Sequence, residues 1–387
     1  MAKGISKKKI KYIYAAIIII VMAIVAFLQK PEKETDFPTE VTTHSSVEFL
    51  GLPKEMKDGK SDAFLIKMWK DGKTPHYILN ECGHHKTDDE LIEKLVDKCR
   101  DNKNSDGEVV IDAVVISHCH NDHMGALTEL LESDQVEVLS VFYTNVGAQW
   151  DKKDQGKKRR CVKDLVSEFG GQIPCFEVSA YDEVKGKSQK ETIEDAYSKK
   201  YDFDNCEILN FYGDSNRFNK IEIVFGNEKL TLYGPKTKLD GSVGCENRYD
   251  AAANDCSTVT TLTGSLNVAF LGDTRYRGAK NYIDLYGSEF SKVKWDVVKF
   301  GHHGLRATEL EHRESLEKEV NLYAEYFPAG TYIFTADMER YKDSKEDEIV
   351  EYELAADNLN YIKQGLTEKL NSPNLIEMTG QDDILFQ

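Results

Sequence analysis

Residues 109–123 read Val109-Val110-Ile111-Asp112-Ala113-Val114-Val115-Ile116-Ser117-His118-Cys119-His120-Asn121-Asp122-His123, and they decide how the rest of the chain is read. The almost continuous apolar run up to Ile116 predicts a strand buried on both faces, of the kind found in sheets covered by helices. Three histidines and an aspartate then follow within six residues. In a loop leaving such a strand, His118 and His120 project to one side, and Asp122 and His123 turn toward a neighbouring position. That arrangement offers imidazole and carboxylate donors to two adjacent metal ions. Cys119, between two of these ligands, is expected to point away from them and pack.

Working outward, two further motifs fall at strand ends. Leu271-Gly272-Asp273 closes an expected strand over 268–271, and Gly301-His302-His303-Gly304 follows one ending at Phe300. The two histidine motifs hold five of the ten histidines in the chain. The carboxyl ends of strands are the usual place for ligand chemistry in open α/β sheets. Paired strands are expected over 63–69 and 76–79 around Asp71-Gly72-Lys73, and helices over 88–99 and 125–132. Further strands are expected near 136–143, 221–225, 258–262 and 297–300, with amphipathic helices over 344–370 starting at Ser344. The mixture indicates an α/β protein.

The order His-x-His-x-Asp-His, Gly-Asp, Gly-His-His-Gly resembles that of the metallo-β-lactamase superfamily of metal-dependent hydrolases, over most of residues 47–335. Within it the chain is similar to the branch holding the hydrolase domain of ComEC-type competence proteins and the choline-binding phosphorylcholine esterases. Asn254-Asp255-Cys256-Ser257-Thr258-Val259 and Asp296-Val297-Val298-Lys299-Phe300-Gly301-His302-His303-Gly304 carry that likeness. Ile78-Leu79-Asn80-Glu81-Cys82-Gly83 takes the place of Ile-Leu-Ile-Asp-x-Gly, with Glu81 for the usual aspartate and able to support the metal loop from behind.

The resemblance implies a four-layer αβ/βα sandwich and two divalent cations, zinc preferred, with manganese or iron as alternatives. It implies the ligands His118, His120 and bridging Asp273 for the first ion. Asp122, His123, Asp273 and one of the His302/His303 pair, His303 being favoured, follow for the second. No histidine lies between Met124 and Gly301, so the third histidine that most members supply is missing, and the first site keeps open positions. The expected catalytic groups are Asp122, Asp273 and His302, the last donating to substrate. Glu81, Asn254, Asp255 and Ser257 are expected behind the ligands or near the substrate. Two such cations lower the pKa of a shared water and clamp the oxygens of an in-line displacement.

The net charge is −17, but the charge is uneven. Five of the 50 Lys and Arg lie in residues 1–28, which hold none of the 67 acids, so the remainder stands at 45 against 67, a balance of −22. The lysine-rich residues 1–11 precede an uncharged apolar run, 12–28, expected to be a transmembrane signal anchor with a cytoplasmic N-terminus. Its uncleaved retention is favoured because no small-residue cleavage site follows. A polar stalk over 29–46 then leads to the hydrolase domain, 47–387, with an insertion near 149–250 and a helical extension near 339–387. The expected location is the cell membrane, single-pass, with the catalytic domain outside the cytoplasm.

Eight cysteines without a C-x-x-C pair permit 105 pairings, so no disulfide is assigned. The expected function is hydrolysis of a phosphodiester. The alternatives are an extracellular nuclease, a β-lactamase or thioesterase, and an inactive surface binding module. The acidic body disfavours DNA. Lys152, Lys153, Lys157, Lys158, Arg159 and Arg160 form a local exception suited to a polyanion.

Overall fold

The structure is a computed structural model and describes residues 42–51, 59–84, 88–144, 173–178, 180–181, 206–210, 217–218, 220–237, 254–305, 313–344, 349–378 and 382–387. The expected membrane span at 12–28 and the basic cluster at 152–160 lie outside the described residues. Among the described residues no helix is long and apolar enough to cross a membrane. Thr42–Gln387 forms one compact unit.

Two eight-stranded sheets face each other. Spatially, the first runs Arg217–Phe218, Cys175–Val178, Val141–Tyr143, Ala113–Ile116, His76–Asn80, Phe64–Lys70, Thr43–Phe49 and Ile384–Phe386. The second runs Cys206–Asn210, Lys220–Phe225, Glu228–Tyr233, Val259–Thr263, Val268–Phe270, Trp295–Lys299, Ala329–Phe334 and Asn374–Glu377. Three apolar clusters make this a four-layer sandwich. One lies between the sheets, where Phe270 of the second packs on Phe49 and Phe64 of the first, with ring centroids 5.9 and 5.1 Å apart. A second joins the first sheet to helices Asp88–Lys98 and Leu127–Glu132, and a third joins the second sheet to Tyr276–Phe290, Arg313–Tyr326 and Ile349–Lys369.

The apolar run 109–116 owes its composition to this layering. Ala113 and Val115 enter the inter-sheet core, while Val114 and Ile116 pack beneath the helices. Val114, Val115 and Ile116, all fully buried, contribute about 1.5–3 kcal/mol apiece. The run is nevertheless broken at Asp112, whose carboxylate accepts Tyr77 N at 2.7 Å and contacts His76 Nδ1 at 2.9 Å. Val109–Ile111 therefore pairs with Val136–Val138 in a separate two-stranded ribbon, and only Ala113–Ile116 joins the main sheet. The expected strand over 136–143 is split in the same way, into Val136–Val138 and Val141–Tyr143.

Four expectations are corrected. Thr43–Ser46, placed in a polar stalk, begin the strand Thr43–Phe49, because their side chains find polar partners: Ser45 Oγ donates to Glu228 Oε2 at 2.5 Å. The described parts of 149–250, expected as an insertion, are strands of the sandwich itself: Cys175–Val178 and Arg217–Phe218 join the first sheet, and Cys206–Asn210, Lys220–Phe225 and Glu228–Tyr233 the second. Ser344 closes the helix Met338–Ser344 instead of opening the next, Ile349–Lys369. The C-terminal extension is not all helical: Asn374–Glu377 and Ile384–Phe386 add an edge strand to each sheet.

Candidate metal centre

The strands Ala113–Ile116, Val268–Phe270 and Trp295–Lys299 end at one rim of the sandwich. Each is followed by a turn that aims polar side chains between the sheets. Asn121–Met124 forms a single helical turn that brings Asp122 and His123 under His118. The ring centroid of His118 lies 4.5 Å from that of His120 and 4.2 Å from that of His123. Gly272 is required at the second turn: its φ is +52°, and a Cβ would come within 2.5 Å of the Ser257 Cβ. In the third turn His302 and His303 both adopt left-handed φ values, 50° and 56°, and Glu81 does so at 69°. Such conformations cost of order 1–3 kcal/mol each and persist where the surroundings over-determine them.

Asp273 is the hub. Its Oδ1 lies 3.1 Å from His123 Nε2 and 3.5 Å from His303 Nε2, and its Oδ2 lies 3.7 Å from His118 Nε2. Asp122 Oδ2 reaches His303 Nε2 at 3.2 Å and the Lys60 ammonium at 3.1 Å. Two ligand groups emerge: His118, His120 and Asp273, and then Asp62, His123, Asp273 and His303. His118 Nε2, His123 Nε2, His303 Nε2 and both oxygens of Asp273 are buried without a hydrogen-bond partner. Buried polar groups are seldom left unsatisfied. Five convergent ones, with nitrogen and carboxylate chemistry, fit divalent cations.

The charge states differ between the groups. Burial, with His123 and His120 adding to it, holds His118 well below the ordinary histidine value, and burial also lowers His120. Against burial, Asp273, Glu81 and Asp62 raise His123 well above it, and Asp273 and Asp62 raise His303. Asp273 is depressed well below the usual carboxylate range despite burial, chiefly by His123 and His303. The first group is thus poised as neutral imidazole, while the second is an array of ion pairs. His118 Nδ1 lies 2.9 Å from Ser117 Oγ and 3.2 Å from Ser257 Oγ, and Ser257 donates its hydroxyl hydrogen to the Asn254 carbonyl at 2.9 Å, while His118 Nε2 faces Asp273 Oδ2.

The remaining expected residues divide. Ser257 Oγ also accepts Asp273 N at 3.0 Å, and Glu81 Oε1 lies 3.4 Å from His123 Nδ1, so both stand behind ligands. Asn254 is buried beside them, its carbonyl oxygen accepting from Ser257 N. Asp255 turns away: its carboxylate accepts Arg275 N at the start of helix Tyr276–Phe290, where backbone N–H groups have no acceptor within the helix. His302 is 21% exposed, with Nε2 4.0 Å from Asp273 Oδ2 and Nδ1 bonded to the Leu305 carbonyl at 2.6 Å. Cys119 is buried in the apolar cluster under the helices.

Asp62 and Lys60 were not singled out by the sequence reading. Both precede the strand Phe64–Lys70, and the available signal was a charged Gly59-Lys60-Ser61-Asp62 turn entering an apolar strand. Burial opposes ionisation of Asp62, but Lys299, His303 and His123 bring its pKa down to about 2. Lys299, read only as part of a motif, is wholly buried, ion-paired to Asp62, and donates to the Gly272 carbonyl at 2.7 Å.

Residues 85–141, which include His118 to His123, match the sequence profile of the metallo-beta-lactamase superfamily. No curated protein sequence matches the chain. Among solved structures it is similar to a long-form RNase Z from yeast at 11% identity, over 87% of this chain and 43% of that one, with a TM-score of 0.33. It is also similar to a Cronobacter sakazakii metallo-beta-lactamase with a HARLDQ motif (11% identity, 80% and 90% coverage, TM-score 0.28). A flavo-diiron protein from Thermotoga maritima matches at 9% identity, with 80% and 53% coverage and a TM-score of 0.26. The chain spans less than half the length of the yeast enzyme. The profile match covers 57 of the 387 residues, the stretch that carries the first histidine motif.

Proposed function

We propose that this chain, as a metal-dependent hydrolase of the metallo-β-lactamase superfamily, cleaves phosphodiesters, held at the outer face of a membrane by residues 12–28. The observation that carries the hydrolase reading is the convergence of three buried imidazole nitrogens, His118 Nε2, His123 Nε2 and His303 Nε2, on the two buried oxygens of Asp273, none of the five with a hydrogen-bond partner. His118, His120 and Asp273 would hold one divalent cation, and His123, His303, Asp122 and Asp273 the other. When bound, such cations supply Lewis acidity and lower the pKa of water.

The protein's own groups supply the rest. Asp273 faces both ligand sets and keeps them in register. The half-buried Lys60 ammonium beside Asp122 is placed to meet a substrate anion, and this cation in an otherwise acidic body favours a phosphodiester over a neutral acyl substrate. His302 commits Nδ1 to the Leu305 carbonyl, so its exchangeable proton sits on Nε2, facing Asp273. From there an imidazolium can give that proton to the leaving oxygen. The likeness of Asn254–Val259 and Asp296–Gly304 to the competence-protein and phosphorylcholine-esterase branch supports the same substrate class.

Metal analysis of the purified residues 42–387 should give close to two ions per chain, and Asp273→Ala should lose both binding and turnover. Bis-p-nitrophenyl phosphate, a chromogenic cephalosporin and single-stranded DNA, offered with zinc or manganese, separate the substrate classes. Phosphodiester hydrolysis alone supports the reading; cleavage of the cephalosporin alone overturns it, and DNA cleavage makes the chain a nuclease.

A further inference from the structure

Asp62 is wholly buried, and its backbone is fixed on both sides. Its N–H donates to the Asp122 carbonyl at 2.9 Å, and its carbonyl accepts Gly83 N at 2.8 Å. Its carboxylate lies between two histidines that arrive from different sheets. Oδ1 is 3.2 Å from His303 Nδ1, and Oδ2 is 3.6 Å from His123 Nδ1. The Nε2 atoms of the same rings point the other way, toward Asp273 and Asp122.

A neutral imidazole carries its hydrogen on one nitrogen and coordinates through the other. A carboxylate facing Nδ1 holds the hydrogen there and leaves Nε2 as the donor atom. Other groups share this work on one ring each: Glu81 faces His123 Nδ1 at 3.4 Å, and the Thr335 hydroxyl faces His303 Nδ1 at 2.9 Å. Asp62 faces the Nδ1 of both rings. It also lies within ligand distance of the second group, so it could itself be a ligand. The position of Lys299 argues otherwise. Its buried ammonium pairs with Asp62 Oδ2 and lies 3.5 Å from Asp273 Oδ1, so a divalent cation bound on that side of Asp62 would lie against a buried charge of the same sign.

We propose that Asp62 is a positioning residue that holds His123 and His303 with hydrogen on Nδ1 and Nε2 turned to the second cation, and that Lys299 occupies Asp62 and keeps it off the metal. The inference rests on the metal-dependent reading above and adds a division of labour to it: Asp273 bridges the ions, while Asp62 orients the ligands.

The test is zinc competition against a chromophoric chelator, together with the visible spectrum of the cobalt-substituted protein, for wild type, Asp62→Asn and the double variant Asp62→Asn/Lys299→Met. Asp62→Asn should still take up two ions, with one bound 10–100-fold more weakly. Its cobalt bands should keep the wild-type intensity, because no ligand is lost. The double variant removes the buried ammonium that the single change strands. It should recover thermal stability without recovering metal affinity. Long-range proton–nitrogen spectra of the zinc-loaded wild type should show His123 and His303 protonated at Nδ1.

Unchanged affinity in Asp62→Asn, affinity restored in the double variant, loss of one ion with altered cobalt bands, or coordination through Nδ1 would each overturn the inference alone. A wild-type chain that binds no metal overturns the hydrolase reading, and this inference with it.

Discussion

His302 and His303 are neighbours in sequence with opposite environments. His303 is wholly buried, with both ring nitrogens facing carboxylates, whereas His302 faces the rim and is one-fifth exposed. His303→Ala should therefore release one of the two ions. His302→Ala should keep both and lower kcat by about 10²-fold, the scale of a lost proton donor. Metal content and kcat measured on the two variants check this, and an ion lost from His302→Ala would reverse the assignment. A pair of histidines predicts a ligand; which of the two it is depends on φ angles in a turn squeezed against Thr274 and Tyr323 by Gly301.

At the scale of elements, the site depends on strands that were hard to read. Ile384–Phe386 pairs with Thr43–Phe49 at the edge of the first sheet, and Asp383 ties that end to helix Asp88–Lys98. Its carboxylate accepts Gly51 N at 2.7 Å, Lys94 Nζ at 2.9 Å and Lys98 Nζ at 2.7 Å. Although partial burial raises the pKa of Asp383, these bonds together lower it below the ordinary carboxylate value. A depressed carboxylate stabilises the fold above its unfolded pKa of about 4, and the contribution fades as the pH falls through the native value. Asp383→Asn should cost about 1.5 kcal/mol at pH 6. Urea midpoints of the two proteins should converge as the pH is lowered through 4 and below, and a gap independent of pH would refute the assignment. The strands at 374–377 and 384–386 are short and partly exposed, so they carry too little periodicity to stand out in sequence.

For the whole molecule, the ligands couple the two sheets. His118, His120, Asp122 and His123 follow a strand of the first, and Asp273 and His303 follow strands of the second. An ion shared between them binds only the assembled sandwich. Each one held at a hundred times its dissociation constant adds about 2.7 kcal/mol. Stripping the metal with a chelator should lower Tm by several degrees, and adding zinc back should restore it; calorimetry that showed no change would mean the sheets close without the ions. The same coupling explains how an acidic body tolerates Asp62, Asp122 and Asp273 together: Lys299, Lys60 and the histidines compensate them locally.

The sequence by itself determined the doubly buried strand at 113–116, the three strand-end motifs and most of the donor set, because apolar periodicity and close spacing of histidines are local signals. It could not show the break at Asp112, the strand built from Thr43–Ser46, or the turning away of Asp255. Each depends on a hydrogen-bond partner that is remote in the chain or sits at a helix end. Asp62 and Lys299 gained their places only in the tertiary structure, 237 positions apart in sequence. A carboxylate and an ammonium so far apart become a pair only when two sheets close and remove water from both, and no local pattern encodes that desolvation.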